Sequence, residues 1–217
     1  MKLLLTSAGL PNDTIKNSFL KLVDKPANEI KVAFMPTASH IEPGGKSWLI
    51  RDLNTLQEMG VAQIDIVDIA AITKDIWQPR LEAADVLFCD GGNVFFLLYW
   101  LRKSGLDKIL SDLLKSRIWV GVSAGSMVPG QSVICDDEQK SAENVVSERI
   151  STKGLGLVNF SLSPHYSSPA FEDEDSVAKV ANQLTEPMYA IDDETAIVVN
   201  GDSVKVVSEG KWKKFEN

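Results

Sequence analysis

Short, nearly continuous apolar runs recur through the first half of this chain, and segments with helical periodicity lie between them. Leu3 to Leu5, Ile30 to Met35, Val86 to Cys89 and Ile118 to Val120 are such runs, and Ile64 to Ile69 reads as a further strand. A strand that is apolar on both sides belongs in a sheet covered on both faces, the setting of parallel strands joined by crossover helices. The intervening segments fit that setting. Ile15, Phe19, Leu20 and Val23 recur at helical spacing, as do Leu49, Leu53, Leu56 and Met59, with Gly60 where a helix would end. Leu81 to Ala84 reads as the end of a short helix. Val94 to Arg102 is apolar almost all round and reads as a helix buried on several sides, closed by Gly105; Leu106 to Ser116 is amphipathic. Right-handed crossovers then bring the loops that follow the strands to one edge of the sheet.

The second half is less regular. Cys135 to Glu138 reads as an acidic loop, Val158 to Leu162 as a strand and Val177 to Leu184 as a last helix. Tyr189 to Ile191, Ala196 to Val199 and Val204 to Val207 read as short strands, and turns at Asp192-Asp193 and Asn200-Gly201-Asp202 suggest antiparallel hairpins. No internal repeat or linker divides the chain, so residues 1–217 are expected to form a single α/β domain: a mostly parallel sheet with helices on both faces and antiparallel strands at the C-terminus.

Charge narrows the choice of partners. The chain has 22 lysines and arginines against 30 acids, a net charge of −8, and an isoelectric point near 4.8. That balance works against binding nucleic acid or an anionic membrane surface, and no basic stripe offsets it. The first residues have three consecutive leucines, too few for a signal-peptide core or a membrane span. Cys89 and Cys135 belong to no metal-ligand or CxxC spacing, and the expectation is two reduced thiols in a cytoplasmic protein, monomer or homodimer. Two isolated histidines and scattered acids present no metal-site spacing, and no cofactor motif is present, so neither a metal nor a cofactor is expected.

The feature that carries chemistry is Gly121-Val122-Ser123-Ala124-Gly125, directly after the apolar run Ile118 to Val120. This is the spacing of a nucleophile elbow, in which a tight strand-to-helix turn pushes the serine outward and small neighbours clear the space around it. The Ala124 amide, at the start of the next helix, can face a developing oxyanion. Gly91-Gly92-Asn93 also follows a strand and opens a helix, so its amides are further candidate donors. One such donor contributes about 3 kcal/mol to a transition state. A nucleophilic serine needs a base and an acid to orient that base. His165, after Pro164 at a strand end, is the first candidate base and His40 the second. For the acid, Asp136, Asp137 and Glu138 lie between the serine and the histidine, an order used by one triad fold. Asp192, Asp193 and Glu194 form another acidic group whose spacing suggests a turn leading into a strand.

Taken together, Cys89-Asp90-Gly91-Gly92-Asn93, Gly121-Val122-Ser123-Ala124-Gly125-Ser126 and Ser163-Pro164-His165-Tyr166 resemble the peptidase E and cyanophycinase family of serine peptidases, from Met1 to about Val199. The resemblance implies a fold like that of class I glutamine amidotransferases, of the flavodoxin-like kind, in which Ser123 replaces the cysteine of the elbow. It implies Ser123 as nucleophile, His165 as base then acid, and Gly92 with Ala124 as oxyanion donors. It places the orienting acid about 15 residues after the serine, at Glu138; Asn93, next to Gly92, is the candidate substrate-binding residue. The implied reaction is hydrolysis of dipeptides or short peptides through an acyl-enzyme; an isopeptide or ester hydrolase, or an inactive ligand-binding relative, are the alternatives. Dipeptidases of this family offer a basic side chain to an N-terminal aspartate. Here Phe171-Glu172-Asp173-Glu174-Asp175 follows the histidine, with no lysine or arginine before Lys179, so a substrate amine or basic residue suits the site better.

Overall fold

The computed structural model describes residues 1–168 and 174–216. Its main sheet has seven strands in the order β3-β2-β4-β5-β1-β8-β9. These are β1 (Lys2–Thr6), β2 (Lys31–Met35), β3 (Gln63–Ile66), β4 (Val86–Cys89), β5 (Ile118–Val122), β8 (Thr195–Asn200) and β9 (Ser203–Ser208). β1 to β5 pair in parallel, and β8 and β9 join antiparallel beyond β1. The apolar runs are explained by burial on both sides. Leu3 and Leu5 of β1 face one apolar layer and Leu4 the other; Met35 and Phe34 of β2 divide in the same way.

One layer is closed by α1 (Asp13–Val23) and α2 (Ser47–Glu58), the other by α3 (Lys74–Ala83), α4 (Val94–Lys103) and α5 (Asp107–Leu113). α4 buries Val94, Phe95, Phe96, Leu97, Leu98 and Leu101 on more than one face, which accounts for its lack of a polar side. A four-residue helix, α6 (Ala124–Met127), follows β5.

A smaller sheet stands apart, in the order β10-β7-β6, from β6 (Ser161–Ser163), β7 (Met188–Ile191) and β10 (Trp212–Phe215), with α8 (Glu174–Ala181) packed on it. β6 and β7 are parallel neighbours, and β10 runs antiparallel to β7.

Several sequence expectations need correction. The 135–138 segment is not a loop: Asp136, Asp137 and Glu138 form the first turn of α7 (Asp136–Val146), where negative charge meets the positive end of the helix dipole. β3 ends at Ile66, because Asp68 turns the chain by accepting from the Ala70 amide and the Thr37 hydroxyl. The predicted strand at 158–162 shortens to Ser161–Ser163, since Val158 bonds back to Pro129. The turn at Asp192-Asp193 makes no hairpin: it carries the chain from β7 in the small sheet to β8 in the large one. The hairpin at Asn200-Gly201-Asp202 does form, between β8 and β9. β10 is a strand that periodicity did not mark. Among the described residues no helix is long and apolar enough to cross a membrane.

Candidate active site

β5 lies between β4 and β1, so the segments that follow these three strands meet at one edge of the sheet. Ser123 leaves the end of β5 with φ 48° and ψ −109°, a conformation that costs a non-glycine residue on the order of 1–3 kcal/mol. Its surroundings over-determine it. The Ser123 amide donates to Thr6 O at 3.0 Å, and its carbonyl accepts from the Ser126 amide at 2.8 Å. The Ser126 hydroxyl also donates to Thr6 O, at 2.7 Å, and the buried Trp119 indole donates to Gly125 O at 2.9 Å. Gly125 is required by close approach, since a Cβ there would run into the backbone carbonyl of Cys89.

His165 and Asp193 come from the other sheet. β6 and β7 are parallel with Ser163 opposite Ala190, so the residues just beyond their ends are also side by side. The Tyr166 amide extends the pairing by donating to Ile191 O at 3.0 Å. His165 has φ 59°, which turns it from the strand direction, and its amide donates to Ser7 Oγ at 2.8 Å. The result is a chain of hydrogen bonds. Ser123 Oγ lies 3.0 Å from His165 Nε2, and His165 Nδ1 lies 2.7 Å from Asp193 Oδ1. Ser7 Oγ donates to the same Asp193 oxygen at 2.7 Å and stands 3.2 Å from Nδ1.

The carboxylate beside Nδ1 accepts its proton and leaves Nε2 as the acceptor facing the serine hydroxyl. The bond to His165 holds the Asp193 carboxyl below the usual carboxylate range; burial opposes this and the Ser7 bond assists it.

Glu138, expected at this position, lies elsewhere. Its Oε2 accepts from the Val94 amide at 2.7 Å, which caps α4, and it also bonds Cys135. Burial raises its pKa, and the charge of Glu42 raises it further. It is near enough to feel the charge of His165, yet the helix caps hold its carboxyl away from the imidazole. Asp136 and Asp137 share the same exposed first turn.

Asn93 is likewise turned inward. It is 1% exposed; its Oδ1 accepts from the Phe96 amide at 2.9 Å and its Nδ2 donates to Glu138 O at 3.1 Å, so its side chain is an N-cap rather than a substrate contact. Gly92 adopts φ 132° and packs against Ala38 O, a conformation and an approach that a Cβ would forbid. The Ala124 amide opens α6 and so has no intrahelical acceptor. His40 is not in the chain: its Nε2 meets Asp68 Oδ2 at 2.7 Å and its ring lies 6.2 Å from that of Phe96.

Of the acidic stretch after the histidine, Phe171, Glu172 and Asp173 lie outside the described residues, and Glu174 pairs with Lys213 at 2.9 Å. Among the described residues no group of histidines, cysteines and acids is arranged to hold a metal ion.

Ser7 and Asp193 were the residues that sequence reasoning missed. Ser7 carries no motif. Asp193 was visible as an acid in a turn, and only the register of β6 on β7 sets it beside His165.

A family model described as peptidase family S51 matches residues 3–207. An uncharacterized peptidase of Listeria monocytogenes, Lmo0363, is 28% identical over 174 residues, covering 80% of this chain and 83% of its own length. Peptidase E of Streptomyces coelicolor is 30% identical over 138 residues, covering 63% of this chain and 51% of its own. A crystal structure of a candidate peptidase E from Listeria monocytogenes EGD-e superposes with a TM-score of 0.81 at 25% identity, covering 96% of this chain and 98% of that one.

Proposed function

Because this chain belongs to peptidase family S51, we propose that it is a serine-type exopeptidase of dipeptides or other short peptides, with Ser123 as nucleophile, His165 as base and Asp193 as orienting acid. The observation that carries this reading is the pair of hydrogen bonds from Ser123 through His165 to Asp193, at 3.0 and 2.7 Å. In this mechanism Ser123 Oγ attacks the substrate carbonyl while its proton passes to His165 Nε2. Asp193 stabilises the imidazolium that forms. The Gly92 and Ala124 amides receive the oxyanion. The imidazolium then protonates the leaving amine, the peptide bond breaks and an ester to Ser123 remains. Water, deprotonated by the same imidazole, hydrolyses the ester and restores the serine.

The fixed charges near the nucleophile favour a substrate amine. Glu42 and Glu138 are close enough to repel one another, and Glu138 and Asp193 both interact with His165. Arg51 is a cation whose charge also reaches Asp193, after that of His165. A neutral or basic N-terminal residue is therefore preferred over aspartate. The test is fluorophosphonate labelling of the wild type and Ser123→Ala, with Asp-X, Arg-X and neutral dipeptides and an ester panel alongside. Labelling that disappears in Ser123→Ala, with turnover of a dipeptide, is expected. Dipeptide hydrolysis retained by Ser123→Ala would remove the serine mechanism.

A further inference from the structure

Asp52, in the middle of α2, and Asp90, the first residue after β4, take no part in the hydrogen-bond chain of the site, yet both are buried, at 2% and 0% exposure. Among the described residues neither oxygen of Asp90 has a donor at hydrogen-bonding geometry, and neither does Asp52 Oδ2. Among the described residues Asp52 Oδ1 has a single, long donor, Arg51 Nε at 3.4 Å. What each carboxyl group does meet is the other, side chain to side chain. Two ionised carboxylates offer only acceptors, so such a contact holds together only with a proton between them.

Their position gives the contact a consequence. Asp90 is followed directly by Gly91, which packs on the Cβ of Ser123, and by Gly92. Asp52 packs on Gly9, whose φ is 77° and where a Cβ would run into the Asp52 carboxyl group. The Gly9 amide donates to Thr6 Oγ1 at 3.2 Å, and Thr6 O in turn receives the Ser123 amide and the Ser126 hydroxyl. Ser7, which touches both His165 and Asp193, lies in that same turn. The acid pair thus ties the turn after β4 to the turn after β1, and these flank the nucleophile on its two sides.

We propose that Asp52 and Asp90 are positioning residues that share one proton and clamp these two turns around Ser123, and that loss of this proton in alkaline solution releases the site. Burial first, and then the charge of Asp52, pushes the Asp90 carboxyl up to about 8, while burial raises Asp52 to about 6. Among the described residues the charged and titratable groups that face the pair are Arg51 on α2 and the Cys89 thiol on β4, the latter kept protonated by its own burial; the turn after β1 approaches through the uncharged Gly9 backbone. Above the higher value two buried charges meet, offset by the Gly91 amide and the Arg51 charge.

Both acids ionise near pH 4 in the unfolded chain but keep a proton in the folded one, so their contribution to stability is full below pH 4 and is lost as pH rises toward 8. One retained proton changes the folding equilibrium about tenfold per pH unit within that window.

The inference takes from the proposed function only that Ser123 reacts with a fluorophosphonate, and its second readout is independent of activity. Labelling rate and urea-unfolding stability are measured from pH 5 to 10 for the wild type, Asp90→Ala, Asp90→Asn and Asp52→Asn. An asparagine donates an N–H where the protonated acid donates its O–H, and it cannot ionise. The expected result is that wild-type labelling falls about tenfold per pH unit above about pH 8, beyond any change in probe hydrolysis. Asp90→Ala loses labelling at pH 7, and an asparagine at either position recovers it and abolishes the alkaline fall. In the same Asn variants the decline of stability between pH 4 and 8 becomes shallower by about one proton. The proposal is overturned if the wild type shows no alkaline fall, if both Asn variants keep it, or if both lose labelling at pH 7 as completely as Asp90→Ala. Should Ser123 not label at all, the proposed function fails, and the stability slopes still decide the shared proton.

Discussion

Replacing Asp193 by alanine separates the two acids that compete for the role of orienting His165. The substitution removes the carboxylate 2.7 Å from Nδ1 but leaves Ser7 Oγ 3.2 Å from the same nitrogen, still able to accept its proton. A hydrogen bond to a charged group contributes about 1.5–3 kcal/mol, equivalent to roughly 10- to 150-fold in rate. Asp193 is 46% exposed, so solvent screens part of its charge, and the retained Ser7 preserves part of the ring orientation. The expected loss is therefore about 10- to 100-fold. It should appear in kcat more than in KM, because the imidazolium that Asp193 stabilises exists only along the reaction path. Glu138→Gln is the companion variant. Its amide oxygen can still accept from the Val94 amide, so α4 stays capped, and the expected change is under about threefold. Second-order fluorophosphonate inactivation rates give the comparison without knowledge of the best substrate, and dipeptide turnover then divides kcat from KM. A larger loss in Glu138→Gln than in Asp193→Ala, with both proteins folded, would refute the reasoning and return the role to α7.

Two further outcomes follow from the same geometry. Gly125→Ala places a Cβ against the Cys89 carbonyl, where neither backbone can yield easily; the expected cost is about 3 kcal/mol or more, read as a lower urea midpoint with an unchanged slope. The lowered pKa of Asp193 means that its stabilising bond is fully present above about pH 4 and is lost as pH falls through the depressed folded value. Asp193→Ala should therefore be less stable than the wild type at pH 6, and the difference should shrink between pH 4 and pH 2 in acid-unfolding curves. A constant difference over that range would contradict the assignment.

Most of the architecture could be read from the sequence because its signals are local. A strand buried on both faces must be apolar throughout, and a crossover helix must show a periodic stripe; β1, β2, β4, β5, α1, α2 and α4 carry these signs within about ten residues each. The elbow is legible for the same reason, since the turn at Ser123 constrains Gly121, Ala124 and Gly125, its immediate neighbours. The segment holding Asp136 to Glu138 was harder. A run of acids suits a solvated loop as well as a helix's first turn, and the choice is made by the Val94 and Asn93 groups that Glu138 meets from across the fold.

The acid beside His165 was beyond local signals altogether. Asp192-Asp193 has the composition of a hairpin turn, and a hairpin would have kept it between adjacent antiparallel strands. Instead β7 pairs with β6 and β8 pairs with β1, so this short segment passes from one sheet to the other and delivers Asp193 to His165. Which acid reaches the imidazole depends on strand pairing between residues 25 or more apart in sequence. The elbow at Ser123, the two candidate bases His165 and His40 and the outline of the fold were thus legible in the order of residues alone, because the elbow and each strand or helix rest on contacts among near neighbours; that His165 is the histidine facing Ser123 depends on residues 42 apart in sequence. The third member of the chain, the inward turn of Asn93 and the Asp52–Asp90 contact were decided by tertiary structure, because each depends on which distant elements pack together.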